Sequence, residues 1–252
     1  MGHTRSWPCP MPRMSPHHPA SPRALNRWVI ALMLTGLLIG SAHAARPMIT
    51  DDARIVDPGA CQIEAWTRHD RGGAQENWAL PGCNPTGNLE ITLGGAALRP
   101  PLDAPGQSVH QLQFKSILRP LTPGDWGWGI AVGGVDRTQE PGGLQPYFYL
   151  PITVASAGDQ ALLHLNLGAQ RTVRGSASAL WGIGTEVTIF PKLLLIAESF
   201  GTSGQSAQGQ VGLRIWIIPN RVQIDTTWGG AMTGGGHWFT IGLRLLSPPF
   251  LP

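Results

Sequence analysis

Charge is scarce in this chain: only 13% of its 252 residues are Asp, Glu, Lys or Arg, and the net charge is +3. Four of the 18 Lys and Arg residues (Arg5, Arg13, Arg23, Arg27) precede residue 45, and none of the 15 acids does, which leaves 14 basic residues against 15 acidic. That balance excludes nucleic acid as a partner. Helical periodicity is missing too. After Ala44 no run is apolar and long enough to cross a membrane as a helix, and no segment longer than a few turns repeats every 3.6 residues. Metal-ligand spacing is absent: beyond the first 44 residues the histidines are His69, His110, His164 and His237, none paired at ligand spacing, and Asp51-Asp52 has no partner cluster, so no metal and no cofactor is expected. Gly94-Gly95 and Gly133-Gly134 lack the following helix and Lys or Ser of a phosphate cradle, and read as strand ends, bulges or barrel bends.

Export is written at the start. Trp28 to Ile39 is an apolar run preceded by Arg23 and Arg27 and followed by Ser41-Ala42-His43-Ala44, the pattern of a secretory signal and its cleavage site. We read residues 1–44 as a leader with translation starting at Met11 or Met14, 45–60 as an N-terminal periplasmic segment, and 61–252 as the folded domain. Cys9 falls in the leader, so Cys61 and Cys83 remain. In an oxidising compartment that pair permits one disulfide, two small buried thiols being the alternative.

Period-two alternation is the strongest signal present. Between Gln208 and Leu246, Val211, Leu213, Ile215 and Ile217 fall on one face, with Gln210 and Arg214 on the other; Ile224 and Thr226 oppose Gln223 and Asp225; Phe239, Ile241, Leu243 and Leu245 oppose Thr240 and Arg244. Such alternation is that of strands with one apolar and one polar face. Reading on between Gly, Pro, Asn, Asp and Ser clusters gives about twelve strands: 61–68, 75–81, 89–97, 108–118, 126–134, 145–155, 160–169, 178–190, 192–201, 207–217, 222–229 and 237–246. Their length of about ten residues suits a tilted strand crossing a bilayer. Tight links at Pro191-Lys192 and Pro219-Asn220 alternate with longer Gly-rich ones, as in outer-membrane barrels. The expected fold is all-β, an antiparallel transmembrane β-barrel.

If the apolar rows face lipid, the polar rows face the lumen and supply Glu64, Lys115, Glu186, Glu198, Arg214, Asp225 and Arg244. These charges either pair and fill a narrow interior, the preferred reading, or line a polar path. Trp126 and Trp128, Tyr147 and Tyr149, and Trp216, Trp228 and Trp238 are expected in an interfacial girdle, with core aromatics the alternative. Asp51, Asp52 and Arg54 could form a latch or plug at the barrel mouth, but a solvated lead-in is the expectation. An enzymatic reading would need Ser199, His164 and Glu186 to meet; none stands in a recognised motif, and no enzyme is expected.

The start of the domain, Arg46-Pro47-Met48-Ile49-Thr50-Asp51-Asp52-Ala53 followed by Pro58-Gly59-Ala60-Cys61-Gln62-Ile63-Glu64, resembles the outer-membrane family named for the meta-pathway of phenol degradation. The resemblance covers residues 46–66 and implies a barrel that helps hydrophobic or aromatic compounds cross the outer membrane. The tail Ser247 to Pro252 departs from the aromatic ending by which the barrel-assembly machinery recognises such proteins. The expected function is a channel or transporter for small, hydrophobic solutes in a Gram-negative outer membrane, with its lipids and the assembly machinery as partners. The rivals are a structural or lipid-modifying barrel and a soluble periplasmic β-barrel that binds a ligand.

Overall fold

The computed structural model describes residues 48–101, 104–138, 143–171 and 175–251. The expected leader, 1–44, lies outside them. Twelve strands follow in chain order: β1 (Cys61–Asp70), β2 (Gln75–Cys83), β3 (Glu90–Arg99), β4 (Gln107–Arg119), β5 (Trp126–Arg137), β6 (Gln145–Ala155), β7 (Ala161–Arg171), β8 (Ala177–Phe190), β9 (Leu193–Thr202), β10 (Gln208–Ile218), β11 (Val222–Ala231) and β12 (His237–Leu246). Each pairs antiparallel with its neighbours in sequence, and β1 pairs with β12 from Gln62 opposite Leu246 to Asp70 opposite Trp238, closing the barrel. Closure leaves no open sheet edge.

An even strand number returns the chain to the rim where it began. At this terminal rim the β8–β9 and β10–β11 links shorten to 191–192 and 219–221, and Asn220 adopts a positive φ of 56°, a conformation Asn tolerates better than most residues. Three register shifts lie at the same rim, between Ile117 and Arg119, Thr188 and Phe190, and Trp216 and Ile218. Cys61 and Cys83 face each other across β1 and β2 and are joined by a disulfide, their Cα atoms 4.0 Å apart. The preceding turn is tied to the same corner: Gly59 N–H donates to Asn84 O, Asn84 N–H to Ala60 O, and the N–H groups of Phe250 and Leu251 to Gly59 O.

The sheet is apolar outside and polar inside. Val211 and Ile217 are 49% and 50% exposed, and Leu213 and Ile215 lie in the same outer row. Lys115 is 3% exposed and Asp225 0%. Buried charge inside and exposed aliphatic side chains outside invert the usual arrangement of a soluble protein.

Candidate functional site

Glu64, Lys115, Glu186, Glu198, Arg214, Asp225 and Arg244 all take the inward register. Cross-strand pairing sets their levels: Arg214 stands opposite Asp225 between β10 and β11, and Arg244 opposite both Glu64 and Gln223. Arg214 is the hub. Its Nη2 meets Asp225 Oδ2 at 2.7 Å, its Nη1 meets Glu186 Oε1, and Gln223 Nε2 donates to both Asp225 oxygens at 3.0 Å. Arg244 Nε donates to Gln62 Oε1 at 2.7 Å and lies 3.5 Å from Glu64.

Lys115 and Glu198 do something else: they hold the segment before β1, which runs up inside the barrel. Met48, Thr50, Ala53 and Val56 are buried there. Glu198 accepts the N–H groups of Ile49 and Thr50, one on each oxygen, both at 2.7 Å. Asn166 accepts the N–H of Asp51 and donates to its carbonyl, both at 2.8 Å. Thr153 Oγ1 accepts Ala53 N–H at 2.8 Å, and Glu90 Oε2 accepts Val56 N–H at 3.0 Å. Lys115 Nζ sits 2.8 Å from Asp51 and 3.5 Å from Asp52, while Tyr149 OH donates to Asp51 Oδ2 at 2.7 Å. Burial alone would raise the Asp52 carboxyl, but the Lys115 ammonium, helped by Arg54, holds it down at about 2.

The solvated lead-in expected for Asp51, Asp52 and Arg54 is therefore corrected for the two aspartates, which enter the lumen as the latch alternative had it, while Arg54 stays exposed. An extended segment without strand alternation carries no sequence signal of burial, and its charges, Asp51 and Asp52, read as exposed. One signal was available. Gly182 and Gly184 occupy alternate inward positions of β8, and a Cβ at either would fall 2.6 Å from Thr50 Oγ1 or Met48 Cε. Glycine there leaves the volume that the segment occupies.

Two spaces flank the segment. Toward the rim remote from the termini lies a cavity of about 480 Å³, with Ile49 and Thr50 among its walls beside Trp66, Trp78, Tyr147 and Tyr149. Toward the terminal rim lies about 60 Å³, lined by charged groups that include Asp52, Lys115, Glu186 and Arg214. The aromatic girdle is corrected accordingly. Trp126 and Trp228 are exposed on the outer face, but Tyr147, Tyr149 and Trp238 line the cavity. Their polar tips decide this, since a buried Tyr or Trp needs a partner: Tyr147 OH donates to Gln113 Oε1, Tyr149 OH to Asp51 Oδ2, and Trp238 Nε1 to Gln210 Oε1. Trp66 and Trp78 stack with centroids 5.2 Å apart, and Arg68 lies 4.2 Å from the Trp238 ring centre.

The Ser199 grouping does not assemble. His164 lies inward, its Nδ1 3.0 Å from Thr153 Oγ1 and its Nε2 3.4 Å from Glu186. Ser199 follows inward Glu198 and so points outward, where Oγ meets Gln208 O and Met232 Sδ. Among the described residues no group of three or more His, Cys, Asp or Glu is arranged to hold a metal ion.

Solved structures share the fold. The chain is similar to a KdgM porin at a TM-score of 0.56 and 7% identity, over 74% of this chain and 98% of that one. It is also similar to the Acinetobacter baumannii outer membrane protein Omp33, at a TM-score of 0.42 and 10% identity over 73% and 96% of the two chains. The likeness to the KdgM porin, at 7% identity, shows a shared barrel fold and nothing finer. No curated protein matches the chain. None of these matches carries the name of the phenol meta-pathway family that residues 46–66 resemble. The family model described as Uncharacterised conserved protein UCP029691 matches residues 33–246, and the chain belongs to that family.

Proposed function

We propose that this protein is an outer-membrane β-barrel that admits small, partly apolar solutes to its lumen and passes them across the membrane. The carrying observation is the inversion of polarity. A soluble barrel needs its Phe239, Ile241, Leu243 and Leu245 row inside, yet Phe239 and Leu245 are exposed while the Arg214 network is enclosed. Strands of 9 to 14 residues match the length needed to cross a hydrocarbon core. The aromatic cavity supports the solute class, because rings beside a few amide and charged groups bind small molecules that are apolar with a polar edge. Toward the terminal rim the segment and the Arg214 network together leave only about 60 Å³, but the cavity of about 480 Å³ on the other side keeps half of the lumen open, which favours a conduit over a purely structural barrel.

Membrane fractionation with gel mobility before and after boiling tests the placement. Recovery in the soluble periplasm, with mobility unchanged by boiling, would overturn it. Planar-bilayer conductance tests the conduit: the Asp51→Ala, Asp52→Ala double variant should show larger or more frequent openings than the wild type. Silence from both proteins would favour the non-transport rival.

A further inference from the structure

The lumen wall reads the main chain of the segment it encloses. Of the nine residues 48–56, five donate an N–H to a wall side chain: Ile49 and Thr50 to Glu198, Asp51 to Asn166, Ala53 to Thr153 and Val56 to Glu90. Two carbonyls are also taken, Asp51 O by Asn166 Nδ2 and Val56 O by Asn84 Nδ2, each at 2.8 Å. These acceptors come from β3, β6, β7 and β9, so the track climbs the barrel interior across strands. A strand added to a sheet would use the sheet's own main chain. Here the wall's ladders are already complete, and side chains supply the acceptors. Asn166 accepts and donates at one residue, the two-point reading of an extended peptide unit, and Glu198 spends both carboxylate oxygens on consecutive N–H groups.

Side-chain selection is superimposed at few points. Lys115 and Tyr149 meet the Asp51 carboxylate, Lys115 also meets Asp52, and the bare faces of Gly182 and Gly184 receive Thr50 and Met48. The segment turns at Asp57–Ala60, where Ala60 N–H donates to Asp57 O and Gly59 has φ +72°. The disulfide fixes β1 immediately beyond. Among the described residues neither a strand ladder nor a disulfide ties 48–56 to the wall, and the barrel closes through β1 and β12 without it.

We propose that this track is a peptide-binding site in its own right, filled in cis by residues 48–56 and able to take an extended peptide of the same chemistry in trans: five main-chain donors, Met- and Thr-like side chains against the bare Gly184 and Gly182 faces of β8 and an acidic pair against Lys115. Binding requires a folded barrel and does not require that it conduct, so a silent channel leaves this inference standing.

The test uses the full chain in detergent, with boiling-dependent mobility confirming that each variant is folded. The Asp51→Ala, Asp52→Ala variant loosens the cis segment without touching the wall; a second background, Thr50→Pro, Asp51→Pro, removes two donors. A fluorescein-labelled synthetic peptide of residues 48–56 should bind both saturably in fluorescence anisotropy. Wild-type protein, its track occupied, should bind at least about tenfold more weakly, as should either variant carrying Glu198→Gln. The same peptide N-methylated at residues 49 to 51 should also lose at least about tenfold. Absence of saturable binding to both folded variants, or equal binding of the methylated peptide, would overturn the proposal.

Discussion

Arg214 concentrates the interior electrostatics in one side chain, and its removal separates two kinds of lumen charge. Glu186 and Asp225 both lean on it, and both are almost completely buried. Arg214→Ala would leave two carboxylates side by side without a counter-charge, a change expected to cost about 3–5 kcal/mol, read by urea unfolding in detergent. Arg244→Ala should cost less, about 1–3 kcal/mol, because its contact with Glu64 is longer, at 3.5 Å, and what is lost is chiefly the donor to the buried Gln62 amide. The inward position of these residues was legible in the sequence, since strict alternation places Arg214, Asp225 and Arg244 on one face. The same alternation, applied to Glu198, excludes Ser199 from any grouping with His164. The partners of Lys115 and Glu198 were not legible. They lie on a segment whose position depends on the closed barrel, and the pairing expected among strand charges went instead to Asp51, Asp52 and main-chain N–H groups.

Elements differ in how loudly they announce themselves. All twelve strands were readable because each carries its own period, bounded by turn residues; the 145–155 and 237–246 readings coincide with β6 and β12. The lumen segment has no period, and its burial follows from space left elsewhere. Gly182 supplies that space, so Gly182→Leu should block seating of Thr50 while leaving β8 paired. Single-channel recordings should then show more open time than wild type, and residues 48–56 should become sensitive to protease in the folded protein. Acid should act on the same element. Asp52 belongs to no strand, and its carboxyl is held down at about 2 beside Lys115. A depressed value means that the seated segment is stabilised above the ordinary carboxylate range, near 4, and that this contribution is lost as pH falls through about 2. Opening should therefore increase between about pH 4 and 2, with a smaller increase in Asp52→Asn, which has already lost the charge.

At the scale of the whole molecule, the decisive quantity is which surface of the sheet is the outer one. Alternation alone assigns two faces to every strand without saying which is outer, and the expected export signal adds only a destination. Closure decides it: the face with Gln210, Arg214 and Asp225 converges on a narrow interior, and the face with Val211, Leu213 and Ile215 is left outside. Leu213 is the position to test, because it sits midway along β10 with 40% of its surface exposed. In the proposed membrane placement Leu213→Arg would put a charge near the centre of the hydrocarbon core, at a cost of about 2–4 kcal/mol. Refolding into lipid vesicles should show that loss in stability and a reduced yield of the fast-migrating folded form. In a soluble barrel the same substitution would expose one more charge to water and cost nothing measurable. A Leu213→Arg protein as stable as wild type would thus remove the membrane placement, while leaving the lumen segment and its contacts as they are.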